Sequence, residues 1–144
     1  MSRRIVLTAA GDDSHCGMRR IYLSASALLG LFSVMLGAFA THALKGTIPD
    51  ADLAIFETAA RYQMYHAIAM LALGLAMDRV GRSGRAVLGL WLFGTIVFSG
   101  SLYAIVLTGV RAFGAVAPIG GLSLMAGWAF LFISAVRHEG FPPR

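Results

Sequence analysis

Between Ile21 and Leu44 the chain runs for 24 residues without an aspartate, glutamate, lysine or arginine. At about 1.5 Å per residue such a helix is about 36 Å long, enough to cross the roughly 30 Å hydrocarbon core of a bilayer. Ala86 to Leu107 and Pro118 to Val136 are likewise free of formal charge, and Tyr62 to Met77 is a further apolar segment opened by Arg61. Only a helix or a closed barrel satisfies its backbone hydrogen bonds in lipid. The length of these runs selects helices. Charged residues are 13% of the 144, against about 25% in soluble chains. A chain this short has too little interior to hide so much apolar surface from water.

The expected fold is therefore all-α, an integral-membrane antiparallel four-helix bundle of one domain. Residues 1–17 read as a flexible tail, and Met18-Arg19-Arg20 resembles a second start. Residues 18–137 form the membrane domain, with helices at about 21–44, 48–77, 86–107 and 118–136, and 138–144 form a second tail. Ala38-Phe39-Ala40 fits a signal-peptidase pattern, but the apolar core is too long for a signal peptide and further spans follow. Asp78 to Arg85, with its glycines and three arginines, reads as the turn between helices 2 and 3. Thr47-Ile48-Pro49-Asp50 matches a capping box for helix 2. Glu57 and Arg61, four apart with the acid first, are spaced to pair.

The net charge of +5 comes from arginines at the ends of apolar runs, which is a topology signal rather than a nucleic-acid site. Nine arginines fall on the side of the termini and the middle turn, against Lys45, Arg61 and Arg111 on the other. Both termini are thus expected in the cytoplasm, in a multi-pass protein of the plasma membrane. Cys16 is the only cysteine, so an intrachain disulfide is impossible. Nucleotide-binding, metalloprotease, hydrolase and dithiol motifs are absent from the sequence.

Polar residues collect where chemistry would be costly to place. Arg61, Tyr62, Gln63, Tyr65 and His66 open the second apolar segment. His42 and Lys45 close the first, and Ser99, Ser101 and Tyr103 lie in the later half of the third. Antiparallel neighbours would bring these levels together as one polar layer toward the non-cytoplasmic side. Two histidines there could ligate haem iron or a metal, or carry protons. Against this, no carboxylate lies inside a span and no third ligand is evident. Taken singly, the tyrosines anchor helices and Arg61 snorkels to phosphate. Small residues recur at helical spacing, and Gly30, Gly37, Gly100, Gly120, Gly121 and Gly127 are read as close-packing positions. The leading reading is a non-enzymatic accessory, structural or ligand-, lipid- or partner-binding protein with no cofactor and no metal. Its expected partners are the bilayer and a membrane protein or a second copy. The alternative is a redox or transport component using His42 and His66.

Four segments also match a known pattern in order. Leu36 to Lys45, LGAFATHALK, resembles an element GAFGAHALK, with Thr41-His42 where Ala-His is usual. Arg61 to Ala67, Phe98 to Tyr103 and Pro118 to Gly121 resemble the other elements. The chain is thereby similar to the domain-of-unknown-function 423 family, which includes transmembrane protein 256. That resemblance implies a small four-helix membrane protein, of the inner membrane in bacteria, with no established activity.

Overall fold

A computed structural model describes residues 3–137, with the side chains of residues 3–16 and 78–81 outside that description. The C-terminal tail at 138–144 also lies outside the described residues. Four long helices follow one another: α1 (Arg3–Phe39), α2 (Asp50–Leu75), α3 (Met77–Thr108) and α4 (Ala117–Val136). A π-helical turn, Ala40–Leu44, widens the end of α1, and a 3-10 turn, Arg111–Ala115, joins α3 to α4. No strand occurs among the described residues.

Several boundaries move from where the sequence put them. Residues 3–17, read as a tail, continue α1 as helical backbone, and no proline interrupts them. The Gly-Arg segment 78–85 is not the turn but the first turns of α3. The chain reverses at Ala76 instead (φ −89°, ψ 7°). An interior glycine weakens a helix by about 1 kcal/mol without ending it, and the tertiary contact of α2 with α3 outweighs that. The capping box does not form. Thr47 Oγ1 donates backward to the carbonyls of Ala43 (2.9 Å) and Leu44 (2.8 Å), and α2 begins after Pro49 with no side-chain cap. Asp50 and Asp52 do occupy its first turn, where negative charge is favourable.

Three segments are long and apolar enough to cross a membrane: 17–44, 82–108 and 111–136. The second helix, expected as a fourth span, is too polar to qualify alone. Its neighbours supply what it lacks. α2 lies between α1 and α3 and buries Phe56, Ala59, Ala60, Gln63, His66, Ala67 and Met70 against them. The helices pack in chain order, α1 on α2, α2 on α3 and α3 on α4, while the backbones of α1 and α4 do not approach each other. The bundle is thus an open row rather than a closed square. Its core joins Met70, Leu73 and Met77 to Val87, Leu88, Trp91 and Leu124. Large apolar side chains on the outer faces of α1 and α4, such as Leu31, Val34, Leu122 and Phe132, are exposed, as suits a lipid solvent.

Backbone approach is closest between α3 and α4. A Cβ at Gly120 would fall on the backbone nitrogen of Phe98, and one at Gly127 would sit 2.6 Å from the Trp91 indole. A Cβ at Gly94 would lie 2.6 Å from Leu124 Cδ2, a contact that the sequence pattern missed. Gly30 and Gly121 meet neighbours only at ordinary van der Waals distance, with Ala67 and Phe98 at 4.0 and 3.8 Å. Gly37 and Gly100 have nothing within 4 Å, so their assignment to helix packing is corrected: helix rotation turns them off the contact faces. Gly120→Ala should therefore lower the melting temperature in detergent by several degrees, for an overpacking cost of about 1–3 kcal/mol. Gly37→Ala should leave it unchanged. Equal melting temperatures for the two variants would contradict this packing.

Candidate functional site

Two environments share the polar residues picked out above. The first is an interlock inside the row of helices. Gln63, 5% exposed, donates from Nε2 to the Leu29 carbonyl of α1 at 2.8 Å. Its Oε1 accepts the Tyr103 hydroxyl of α3 at 3.2 Å. Ser33 of α1 donates to the Ala60 carbonyl (2.7 Å) and Ser99 of α3 to the Ala59 carbonyl (2.9 Å). Two successive α2 carbonyls thus receive a bond from each flanking helix. Ala59 and Ala60 have no bulk to keep those helices away. Phe56, fully buried, packs on Tyr103 in a tilted arrangement with ring centroids 4.8 Å apart.

His66 completes the interlock on the α4 side. Its Nε2 lies 3.2 Å from Trp128 Nε1, and its Nδ1 lies 2.9 Å from the Tyr62 carbonyl. An indole N–H can only donate, so Nε2 accepts and Nδ1 carries the hydrogen given to Tyr62. Both ring nitrogens are occupied. Trp91 and Trp128 pack edge-on to the imidazole at 6.2 Å and contact each other at 4.5 Å. The Trp91 N–H and the Thr95 hydroxyl, one turn apart on α3, are buried without a hydrogen-bond partner among the described residues.

His42 and His66 do not meet. His42 is exposed in the π-turn at the end of α1. His66 lies beside Ala67, which faces Gly30, about 18 Å of helix rise from His42. The antiparallel offset between α1 and α2, set by the Ser33–Ala60 and Gln63–Leu29 bonds, separates the two depths. Among the described residues no three His, Cys, Asp or Glu side chains gather to hold a metal ion. Ser101 bonds only its own helix, at Phe98, while Lys45 and Tyr65 are exposed. Tyr62, 42% exposed, packs its ring on Phe98 and alongside Tyr65 and His66.

The second environment is a groove of about 320 Å³ on the outside of the α1–α2 pair. Gly37 and Thr41 form one wall and Glu57, Arg61 and Met64 the other, over a floor where Ser33 bonds Ala60. The expected Glu57–Arg61 pair does not form, and neither side chain makes an ion pair or hydrogen bond with any described residue. An ion pair does form between Arg111 Nη1 and Asp52 Oδ1 at 2.7 Å, tying the α3–α4 connection to the first turn of α2. Sequence spacing could not reveal it, since its partners lie far apart in the chain.

Comparison with known proteins places these features in a family. The family described as "Protein of unknown function (DUF423)" matches over residues 36–121, from the end of α1 into α4. The chain belongs to the DUF423 family. A UPF0382 membrane protein of Staphylococcus haemolyticus is 36% identical over 84% of this chain and 99% of its own length. The UPF0382 membrane protein YwdK of Bacillus subtilis is 33% identical over 83% and 98%. The UPF0382 inner membrane protein YgdD of Escherichia coli is 35% identical over 82% and 91%. No solved structure matches. With three apolar segments long enough to span, this DUF423 chain is a multi-pass protein of the bacterial inner membrane. None of these relatives carries an enzymatic name.

Replacing Gln63 by Leu tests the interlock. It strips the Leu29 carbonyl and the Tyr103 hydroxyl of their partner, at a cost of roughly 1–3 kcal/mol for groups buried in the bundle. The melting temperature in detergent should fall by several degrees, and Tyr103→Phe by less, since Gln63 keeps its bond to α1. Equal effects of the two would show that Gln63 does not bridge three helices.

Proposed function

We propose that this chain is a non-catalytic membrane protein whose outer rim on α1 and α2 binds a lipid or a partner, with the interlock serving as its rigid support. One observation carries the reading. The Gln63 amide, the Ser33, Ser99 and Tyr103 hydroxyls and the His66 imidazole are engaged in bonds between or within helices. The charges of the rim, Glu57 and Arg61, have no partner among the described residues. Groups committed to holding helices together are poorly placed to exchange protons or ligands, because each exchange would break a buried bond. Opposite charges left unpaired beside a helix long and apolar enough to span favour an occupant that meets them both.

Purification from native membranes in a mild detergent, followed by absorption spectroscopy, metal analysis and mass spectrometry of what is retained, tests this. The expected result is a colourless preparation with substoichiometric metal and a retained lipid or membrane protein. A Soret band or one equivalent of metal, lost in His66→Ala, would overturn it.

A further inference from the structure

The groove between α1 and α2 presents two opposite charges in a defined order. Glu57 and Arg61 are one turn apart on α2, and the acid lies nearer the 45–49 loop that marks this end of the bundle. Side chains on a helix lean toward its N-terminus, so both heads tilt toward that end, with the Arg61 guanidinium starting about 6 Å deeper. At i and i+4 the two could neutralise each other, yet they share one wall of the groove without forming an ion pair. Thr41 spends its hydroxyl proton on the Gly37 carbonyl at 3.1 Å, leaving an oxygen at the wall that can only accept.

A purely anionic occupant would satisfy Arg61 and crowd Glu57. A purely cationic one would do the reverse. Both charges are met by a molecule with an anion placed deeper and a cation placed farther out. A glycerophospholipid with a phosphate next to its glycerol and an amine at its tip has that order. We propose that the groove binds the headgroup of phosphatidylethanolamine, with the Arg61 guanidinium on the phosphate and the Glu57 carboxylate on the ammonium. The assignment rests on the binding-rim reading above.

The chemistry of each contact is selective. A guanidinium grips two phosphate oxygens at once, which a point charge cannot do. A primary ammonium donates hydrogen bonds to the Glu57 carboxylate and to the Thr41 oxygen, whereas a trimethylammonium has no N–H to give. A glycerol headgroup has no cation. The groove is also of suitable scale: about 320 Å³ lies at the small end of ligand sites, which run from roughly 300 to 1,000 Å³. Met64, deeper than Arg61 on α2, gives the groove an apolar side chain on the side that acyl chains would take.

The full-length protein in mild detergent, offered an equimolar mixture of phosphatidylethanolamine, phosphatidylglycerol and phosphatidylcholine with matched acyl chains, supplies the test by native mass spectrometry. The wild type should retain phosphatidylethanolamine roughly tenfold over the other two, the worth of one charge-assisted hydrogen bond. R61Q should lose that retention about as strongly. E57Q should keep a bound phospholipid and lose the preference for the ethanolamine head. Neither side chain holds the helices together, so both variants should melt in lipid-free detergent as the wild type does. Equal retention of the three lipids by the wild type, a preference for phosphatidylglycerol, or undiminished retention by R61Q would overturn the proposal. A polypeptide cross-linked through the groove in place of lipid would overturn the headgroup assignment and leave the rim reading standing, whereas a haem or metal dependent on His66 would remove the rim reading itself.

Discussion

The hydrogen bonds that α1 and α3 make to α2 are the constraint on which the rest depends. α2 carries a glutamine, a histidine and an arginine within six residues, and it is too polar to cross a membrane unaided. Each unmet polar group in hydrocarbon costs several kcal/mol. Gln63 escapes that cost by bridging Leu29 and Tyr103, and His66 does so by joining Tyr62 to Trp128. Such bonds contribute only about 0.6 kcal/mol on average within membranes, with a ceiling near 1.7. Their larger effect is on geometry. A helix displaced by one turn would leave these groups unmet, so they fix the offset between neighbours.

That offset determines everything downstream. Ser33 and Ser99 reach the successive carbonyls of Ala60 and Ala59 because the alanines let both flanking helices come close. The same principle, with glycine in place of alanine, brings α3 and α4 together at Gly94, Gly120 and Gly127. Without a hydrophobic drive between helices in lipid, close backbone approach and hydrogen bonds must hold the row together. The π-turn at Ala40–Leu44 still packs on α2 through the buried Ala40, and the groove opens beside it.

Division of labour among the polar residues follows from depth and azimuth. Those turned toward neighbours are spent on structure. Those turned outward, Arg61 and Glu57 above all, remain available to whatever lies against the protein. Residues 57–66 therefore carry both the groups bonded between helices and the charges that line the groove, alternating around α2 with helical periodicity.

Apolar run lengths alone determined the all-α membrane class, because transfer of side chains into lipid is a local, additive property. They also flagged Gln63 and His66, since a polar group in an apolar segment is conspicuous whatever its partner. The reversal at Ala76 was not legible, because glycines and arginines that look like a turn are tolerated in a helix that has a neighbour to pack on. Nor was the separation of His42 from His66, which the spacing along each helix leaves open. Only the tertiary structure decided which glycines touch and which polar groups pair between helices. Those outcomes depend on the rotation and offset of one helix against the next, and these are set by contacts between residues distant in the chain.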